Sequence, residues 1–205
     1  QETSSDSDVV WSTFVGHDMK ALGQKAGETA VEYLDTLGKE DPVCLFISRP
    51  TSGQASSDRF EGFKETVLAK YPDAKIIGAG TRDSAQTLME NVLQRESEID
   101  VVCGHNDAEV VGAYNAATAQ GRDEIKFIGI AGDVDVLGWL QDGNESWLGE
   151  VLQNPVVLGY QATDAIIKVL LDNEELPEKY DLPEPEVITP SNISDYDWKN
   201  WEWLG

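Results

Sequence analysis

Hydrophobic positions follow two periods along the chain. Five short runs are apolar almost throughout, which is typical of buried strands: residues 43–48, 75–78, 99–103, 126–130 and 147–152. Elsewhere apolar residues recur every three or four positions, which predicts four helices with one buried face. Their apolar positions are Met19, Leu22, Ala26, Ala30, Tyr33 and Leu34; Phe60, Phe63, Val67 and Leu68; Ala85, Leu88, Val92 and Leu93; and Leu158, Ala165, Ile166, Val169 and Leu170.

The alternation of strands and helices predicts the fold class. Strands that are apolar on both faces are covered on both faces, so we expect an α/β fold with a doubly wound parallel sheet and helices on each side. Such sheets bind ligands at the carboxyl ends of their strands. In this chain those positions read SRPTSGQASSDR, GAGTRDS, GHND, IAGDVD and QNP.

The chain changes character after Asp172, over about its last sixth. The segment DNEELPEKYDLPEPEVITP is rich in proline and acids, which predicts a loop around one short strand at 186–188. The closing stretch DYDWKNWEWLG holds three tryptophans. Because tryptophan buries a large apolar area, we expect a docked tail rather than an aromatic binding site.

Charge limits the partners. Fifteen Lys and Arg against 38 Asp and Glu give a net charge of −23, so DNA, RNA and anionic membrane surfaces would be repelled. We expect no nucleic acid partner. A solubilising charge coat is the favoured interpretation, and selection of a cationic ligand is the alternative.

Cysteine and histidine are too few for a metal centre. Cys44 and Cys103 lie within apolar runs, where cysteine behaves as a small buried hydrophobe, and neither has CxxC spacing. With two histidines in the chain, a metal site is not expected. We expect no cofactor either. No apolar run reaches the roughly 20 residues of a membrane span. Because no signal peptide precedes Gln1, we expect that the sequence begins after a processing or truncation point.

Enzyme motifs are weak. Gly78 and Gly80 of KIIGAGTRDSAQ partly imitate a dinucleotide-binding turn, but Asp83 stands where the third glycine belongs. We expect a strand-to-helix turn, with Asp83 or Ser84 capping the helix. There is no GxSxG motif. His105 and Asp107 would suit an acid–base pair, although hydrogen bonding in a binding cleft is the simpler role for His105.

The most specific signal is the stretch IDVVCGHNDAEVVGAYNAATAQGRDEIKFIGIAG. A strand ends in Asn-Asp, a helix follows at once, and Gly121 closes that helix. Together with DRFEGF, GEVLQNPVVLGYQA and the VGHD segment, this stretch resembles the type I periplasmic binding family, the ribose-, galactose- and related sugar-binding proteins that feed ABC transporters. The resemblance runs from about residue 11 to 195.

The resemblance implies a set of ligand-binding residues and no catalysis. Arg59 would donate a planar fork of hydrogen bonds to sugar oxygens. Asn106 and Gln153 would each offer a donor and an acceptor to hydroxyl groups. Independently of the resemblance, the place of His105 at a strand end predicts that it adds a hydrogen bond to the ligand. Asp107 is expected to cap the following helix.

Two positions depart from the family pattern. Where relatives carry an aspartate that accepts hydroxyl protons, this chain has Ala131, so the acceptor is lost unless Asp133 or Asp135 replaces it. Gly80 stands near a position where ribose-binding relatives carry an aromatic side chain. The resemblance therefore implies a monosaccharide or related polyol that differs from a common pyranose.

The resemblance also implies a domain organisation. Family members close two lobes on the ligand, and most of the first lobe is missing here. Residues 1–152 would be the C-terminal ligand-binding lobe, and 153–205 a hinge crossing, a helix that packs on the missing lobe, and an acidic tail. Half a cleft would bind weakly until that lobe or another chain completes it. The implied partner is a membrane ABC permease, and the implied location extracytoplasmic, either periplasmic or as a lipoprotein at the cell surface.

Two other functions fit parts of the pattern. The effector domain of a LacI-type transcription regulator would share the fold and the Asn-Asp motif, but it needs a DNA-binding headpiece, and the charge opposes it. A small Rossmann-like enzyme would need a phosphate, nucleotide or metal site that the strand-end segments do not spell out.

Overall fold

The computed structural model describes residues 13–81, 84–180 and 182–201. Its centre is a six-stranded sheet in the order β3-β2-β4-β5-β6-β8. The first five strands are parallel and β8 is antiparallel to β6. The strands are β2 (Val43–Ser48), β3 (Lys75–Gly80), β4 (Val101–Gly104), β5 (Lys126–Ala131), β6 (Trp147–Leu152) and β8 (Val187–Ile188).

Six helices accompany the sheet: α1 (Met19–Leu37), α2 (Gly53–Lys70), α3 (Ala85–Leu93), α4 (Asp107–Ala119), α5 (Val134–Gln141) and α6 (Pro155–Leu170). Short 3-10 turns cover Pro50–Ser52, Ile193–Asp195 and Trp198–Asn200. Two apolar clusters lie on opposite faces of the sheet. Helices α1 and α2 close one of them, and α3, α4 and α5 close the other. The predicted doubly wound α/β class is confirmed.

Strand β2 illustrates why these runs form buried strands. Its residues Val43 to Ile47 are all buried, with β3 on one side, β4 on the other and helices on both faces. The predicted bounds of β2 and β6 are confirmed, and β5 extends one residue further than predicted. Strand β4 begins at Val101, two residues later than predicted.

The glycines after residue 77 do not form a turn, contrary to the prediction. Gly78 and Gly80 belong to β3 and pair with Phe46 and Ser48 of β2. A side chain at Gly78 would lie 3.1 Å from the Phe60 ring, so a glycine lets α2 pack closely on this edge strand. Ser84 caps α3 through the Thr87 amide, as predicted. The alternative cap, Asp83, lies outside the described residues.

Helices α1 and α2 cross at backbone contact distance. A Cβ atom at Gly23 would lie 2.0 Å from the carbonyl oxygen of Arg59, and one at Gly62 would lie 2.2 Å from that of Lys20. Only glycine fits at both positions, because the obstructing atoms are backbone. This crossing fixes where α2 holds Arg59.

The segment after α6 returns to the sheet. Strand β7 (Lys179–Tyr180), which the sequence pattern missed, pairs in parallel with β1 (Phe14–Val15) in a separate two-stranded sheet. Strand β8 then joins β6 one residue inside the predicted span. The docked tail is confirmed for Trp198, which is 7% exposed within the core. Trp201 packs against the same cluster, and the third tryptophan lies outside the described residues.

Both cysteines are free and buried, as predicted. Burial raises the pKa of the Cys44 thiol to about 12 and that of Cys103 well above its ordinary value. Thiols in this state do not act as nucleophiles at neutral pH. Among the described residues no helix has the length and hydropathy needed to cross a membrane.

Candidate functional site

The candidate site lies where the sheet reverses direction. The order 3-2-4-5-6 continues in one direction from β2 to β3 and in the other from β4 to β6, so the reversal lies between β2 and β4. Crevices for ligands form at the carboxyl ends of the strands beside such a reversal. The residues after β4, β5 and β6 and the side chain of Arg59 on α2 meet at that edge.

Arg59 forms the centre of this group although it is only 3% exposed. Its Nη1 donates to the His105 carbonyl oxygen, and its Nη2 donates to Gln153 Oε1 at 2.7 Å and contacts the Met19 sulfur at 3.3 Å. Nε is buried and has no hydrogen-bond partner among the described residues. Burial lowers the pKa of Arg59 to about 10, against the raising effect of nearby acids. The guanidinium remains charged at neutral pH and organises the ends of two strands.

His105 and Asn106 follow β4. The imidazole of His105 is buried, and burial together with the charges of Arg59 and Arg49 lowers its pKa to about 4. The ring is therefore neutral at pH 7. Asn106 is the N-cap of α4, and Glu109 accepts from the Asn106 backbone N–H at 3.3 Å. The Asn106 side chain is half-buried.

Asp107 does not cap α4, contrary to the prediction, because Asn106 holds that position and Asp107 is the first residue of the helix. Its Oδ2 instead accepts from the backbone N–H groups of Gly132 at 3.0 Å and Asp133 at 2.8 Å. Asp107 therefore has a structural role other than the predicted cap, since it joins α4 to the residues that follow β5. Asp133 is the N-cap of α5 and accepts from the Asp135 amide at 2.9 Å. Direct ligand contact by Asp133 stays a prediction.

Gln153 and His17 lie close to Arg59. Gln153 is half-buried, and its amide oxygen accepts from Arg59. The neighbouring Asn154 caps α6. Its carbonyl oxygen lies 3.4 Å from His17 Nε2, and burial lowers the pKa of His17. His17 was not predicted as a site residue, although the VGHD segment that contains it contributed to the family resemblance.

The last residue of β5 and the residue after it have an unusual backbone conformation. Ala131 has φ 156°, a region that side chains rarely adopt, and Gly132 follows with φ 117°. Beneath it lies Glu150 of β6, which is fully buried and accepts from the Ala131 N–H at 2.8 Å. Pattern analysis missed Glu150, because it is a single acid within an apolar run.

Arg49 and Glu109 form an ion pair beside the site. Arg49 Nε donates to Glu109 Oε1 at 2.6 Å, and Glu109 is 2% exposed on its side chain. The pair borders an open polar cavity of about 480 Å³ that Thr81, Ser84 and Gln86 also line. Across the described ranges, no cluster of histidine, cysteine or acidic side chains has the arrangement of a metal site.

Sequence comparison identifies the family. The model of the periplasmic binding protein domain matches residues 4–175. The ribose import binding protein RbsB of Bacillus subtilis is 33% identical over 148 residues, covering 71% of this chain and 47% of that protein. The xylitol-binding protein of Mycolicibacterium smegmatis is 32% identical over 142 residues, covering 65% of this chain and 40% of that protein. The chain thus spans about half the length of the curated relatives it matches.

Comparison with solved structures agrees with the family match. An ABC transporter solute binding protein from Mycobacterium smegmatis, solved with bound glycerol, superposes with a TM-score of 0.77 at 27% identity, over 92% of this chain and 64% of that one. Taken with the family model and the position of the strand-end residues, these matches show that the chain belongs to the periplasmic binding protein domain family and is homologous to the sugar- and polyol-binding proteins of ABC transporters.

Proposed function

We propose that this chain is the ligand-holding C-terminal lobe of an extracytoplasmic solute-binding protein that captures a monosaccharide or polyol for an ABC permease. The family is typically non-enzymatic, and the proposal includes no chemical step. Ribose, xylitol and glycerol, the compounds named for its relatives, are the first ligands to test.

The observation that carries this proposal is the group formed by Arg59, His105 and Gln153. One guanidinium connects the end of β4 to the end of β6 through bonds to a carbonyl and a side-chain amide. Asn106 and Gln153 are the half-buried amides beside it. Amides both donate and accept, as hydroxyl groups do, so this surface favours an uncharged polyhydroxylated ligand.

The proposed hinge and second lobe account for the outer face of α6. Of its sixteen residues only Ala165 is buried. Tyr160 is 75% exposed, Leu170 70% and Ile166 58%, which together form an apolar surface on one helix. Surfaces of this kind mark contact sites. We propose that α6 packs on a further lobe, supplied by a longer form of the protein or by another chain, and that this lobe completes the cleft.

A titration followed by nuclear magnetic resonance tests the proposal, since it detects the weak binding expected of half a cleft. Ribose, xylitol and glycerol are added separately to the labelled chain, with betaine at matched osmolality as the blank. We expect saturable shifts of the backbone signals after β4, β5 and β6 and of the side-chain amides of Asn106 and Gln153. No response to any sugar or polyol, together with a response to a nucleotide or amino acid, would overturn the assignment.

A matched pair of variants locates the site. Gln153→Ala removes an amide from the proposed cleft, whereas Gln141→Ala removes one from an exposed position at the end of α5. The first should abolish the ligand-dependent shifts and the second should leave them unchanged. Equal binding by both variants would place the ligand elsewhere.

A further inference from the structure

Two buried carboxyl groups accept hydrogen bonds from the segment Ala131–Asp133, which is the last residue of β5 and the two residues that follow it. Glu150 Oε1 accepts from the Ala131 N–H at 2.8 Å. Asp107 Oδ2 accepts from the next two amides, those of Gly132 at 3.0 Å and Asp133 at 2.8 Å. Glu150 is 0% exposed and Asp107 3%. Three consecutive backbone donors at the edge of the site are therefore engaged by two acids.

The other oxygens of the two acids converge over Gly129. A Cβ atom at Gly129 would lie 1.8 Å from Glu150 Oε2 and 2.6 Å from Asp107 Oδ1. The two oxygens are therefore no further apart than the sum of these two distances, and neither has a hydrogen-bond partner among the described residues. Two ionised carboxylates would repel each other in this buried position and leave both oxygens without a donor, whereas one proton on the pair supplies a donor between them.

We propose that Glu150 and Asp107 share one proton in the folded protein and that the protonated pair positions the Ala131–Asp133 segment at the edge of the ligand site. Glu150 carries the proton, because Asp107 is the better-stabilised anion. Asp107 accepts two backbone N–H groups against one for Glu150, and it lies in the first turn of α4, where the helix dipole favours negative charge.

The surroundings support this assignment. Burial, and then the charge of Asp107, raises the pKa of Glu150 well above its ordinary value, and burial also raises the pKa of Asp107. The other titratable groups that act on the pair are Asp133 of the α5 cap, Cys103 on β4 and Arg59 on α2. On the other side of β6, strand β8 places the uncharged Ile188 opposite Glu150.

The shared proton gives a defined pH dependence of stability. A carboxyl whose pKa is raised on folding keeps its proton in the folded state after the unfolded chain has released it. Its contribution is complete below the ordinary glutamate pKa and is lost as the pH rises to the folded value. The unfolding equilibrium constant of the native chain should therefore rise about tenfold per pH unit in that window from this one group.

The test compares Glu150→Gln with Glu145→Gln on the full chain. Glutamine keeps both hydrogen bonds without a titrating proton, so Glu150→Gln should lack the tenfold slope. Glu145 is exposed and undergoes the same replacement of a carboxyl by an amide, so Glu145→Gln should follow the native profile. Unfolding is measured by chemical denaturation at several pH values above 4.5. Profiles of the native chain and Glu150→Gln that run parallel would overturn the shared proton.

Infrared spectroscopy provides a measurement that does not depend on a variant folding. At about pH 6, where exposed carboxyls are ionised, the native chain should show the carbonyl absorption of a protonated carboxyl, and its frequency should fall in D₂O. Absence of that band would contradict the proposal.

The positioning role rests on the proposed function, and a separate outcome tests it. In the titration with ribose, xylitol and glycerol, Glu150→Gln should bind as the native chain does and Glu150→Ala should bind more weakly. Equal binding by Glu150→Ala would overturn the positioning role. Failure of the native chain to bind any of the three would count against the ligand assignment and leave the infrared and denaturation results standing.

Discussion

Replacement of Gly23 by alanine tests whether the α1–α2 crossing holds the site together. The new methyl carbon would sit 2.0 Å from the Arg59 carbonyl oxygen, and since an ordinary contact needs roughly 3.5 Å, α2 would have to retreat by about 1.5 Å. Overpacking of this kind typically costs about 1–3 kcal/mol, and a backbone obstacle places the variant at the upper end. A loss of about 3 kcal/mol corresponds to a fall in Tm of roughly 6–12 °C for a domain of this size.

Urea denaturation followed by circular dichroism measures this loss, with Gly138→Ala as the control. Gly138 is also within a helix, but nothing lies within 4 Å of its Cβ position. That variant should gain about 0.4–1 kcal/mol through the reduced entropy of the unfolded chain. The same retreat of α2 would break the 2.7 Å bond from Arg59 to Gln153, so Gly23→Ala should also weaken ligand binding. If Gly23→Ala is as stable as the native chain, the crossing does not determine the position of α2.

Three further predictions follow from single contacts. Ser84→Ala removes the cap that accepts from the Thr87 amide and should cost about 1 kcal/mol in denaturation, so an unchanged midpoint would contradict the capping role. His105 has a pKa of about 4 in the folded protein. Its contribution to stability is therefore present at a pH above the ordinary histidine pKa and is lost as the pH falls from about 6.5 toward 4. The stability profile of His105→Gln should lack this fall, and profiles that run parallel would refute the prediction. Gly129→Ala should destabilise the protein by about 3 kcal/mol, because its Cβ would overlap the Glu150 carboxyl. In a Glu150→Ala background this cost should fall by more than 1 kcal/mol. Strict additivity of the two substitutions would show that the two positions do not interact.

The sequence predicted those parts of the fold whose signal is local. The runs that became β2 and β6 are apolar along their whole length, and their bounds were predicted correctly. Strand β3 was cut short because glycine favours turns, whereas here the close approach of Phe60 explains Gly78 within the strand. Strand β7 is two residues long and forms by pairing with β1, some 165 residues away, so it has no local pattern to detect.

The residues of the candidate site were likewise predictable only where the signal is local. Arg59, His105 and Gln153 were predicted from motifs at strand ends, and the structure brings them into contact. Asn106 was expected at the site, but its place as the cap of α4 was assigned to Asp107. Glu150 could not be predicted, because its importance comes from Asp107 and Gly129 on other elements. A register irregularity between Phe127 and Ile128 also shifts β6 against β5, which no reading of a single strand reveals.

Strand β8 has a consequence for how the protein is made. It is the last strand of the sheet in the chain, and it pairs with β6 only after the chain has passed through α6 and β7. Until residues 187–188 emerge from the ribosome, β6 presents an unpaired edge, which is a template for aggregation. A chain shortened to end within the acidic segment after α6 would keep that edge permanently, so expression of such a truncation should yield insoluble protein even though every helix of the lobe is present.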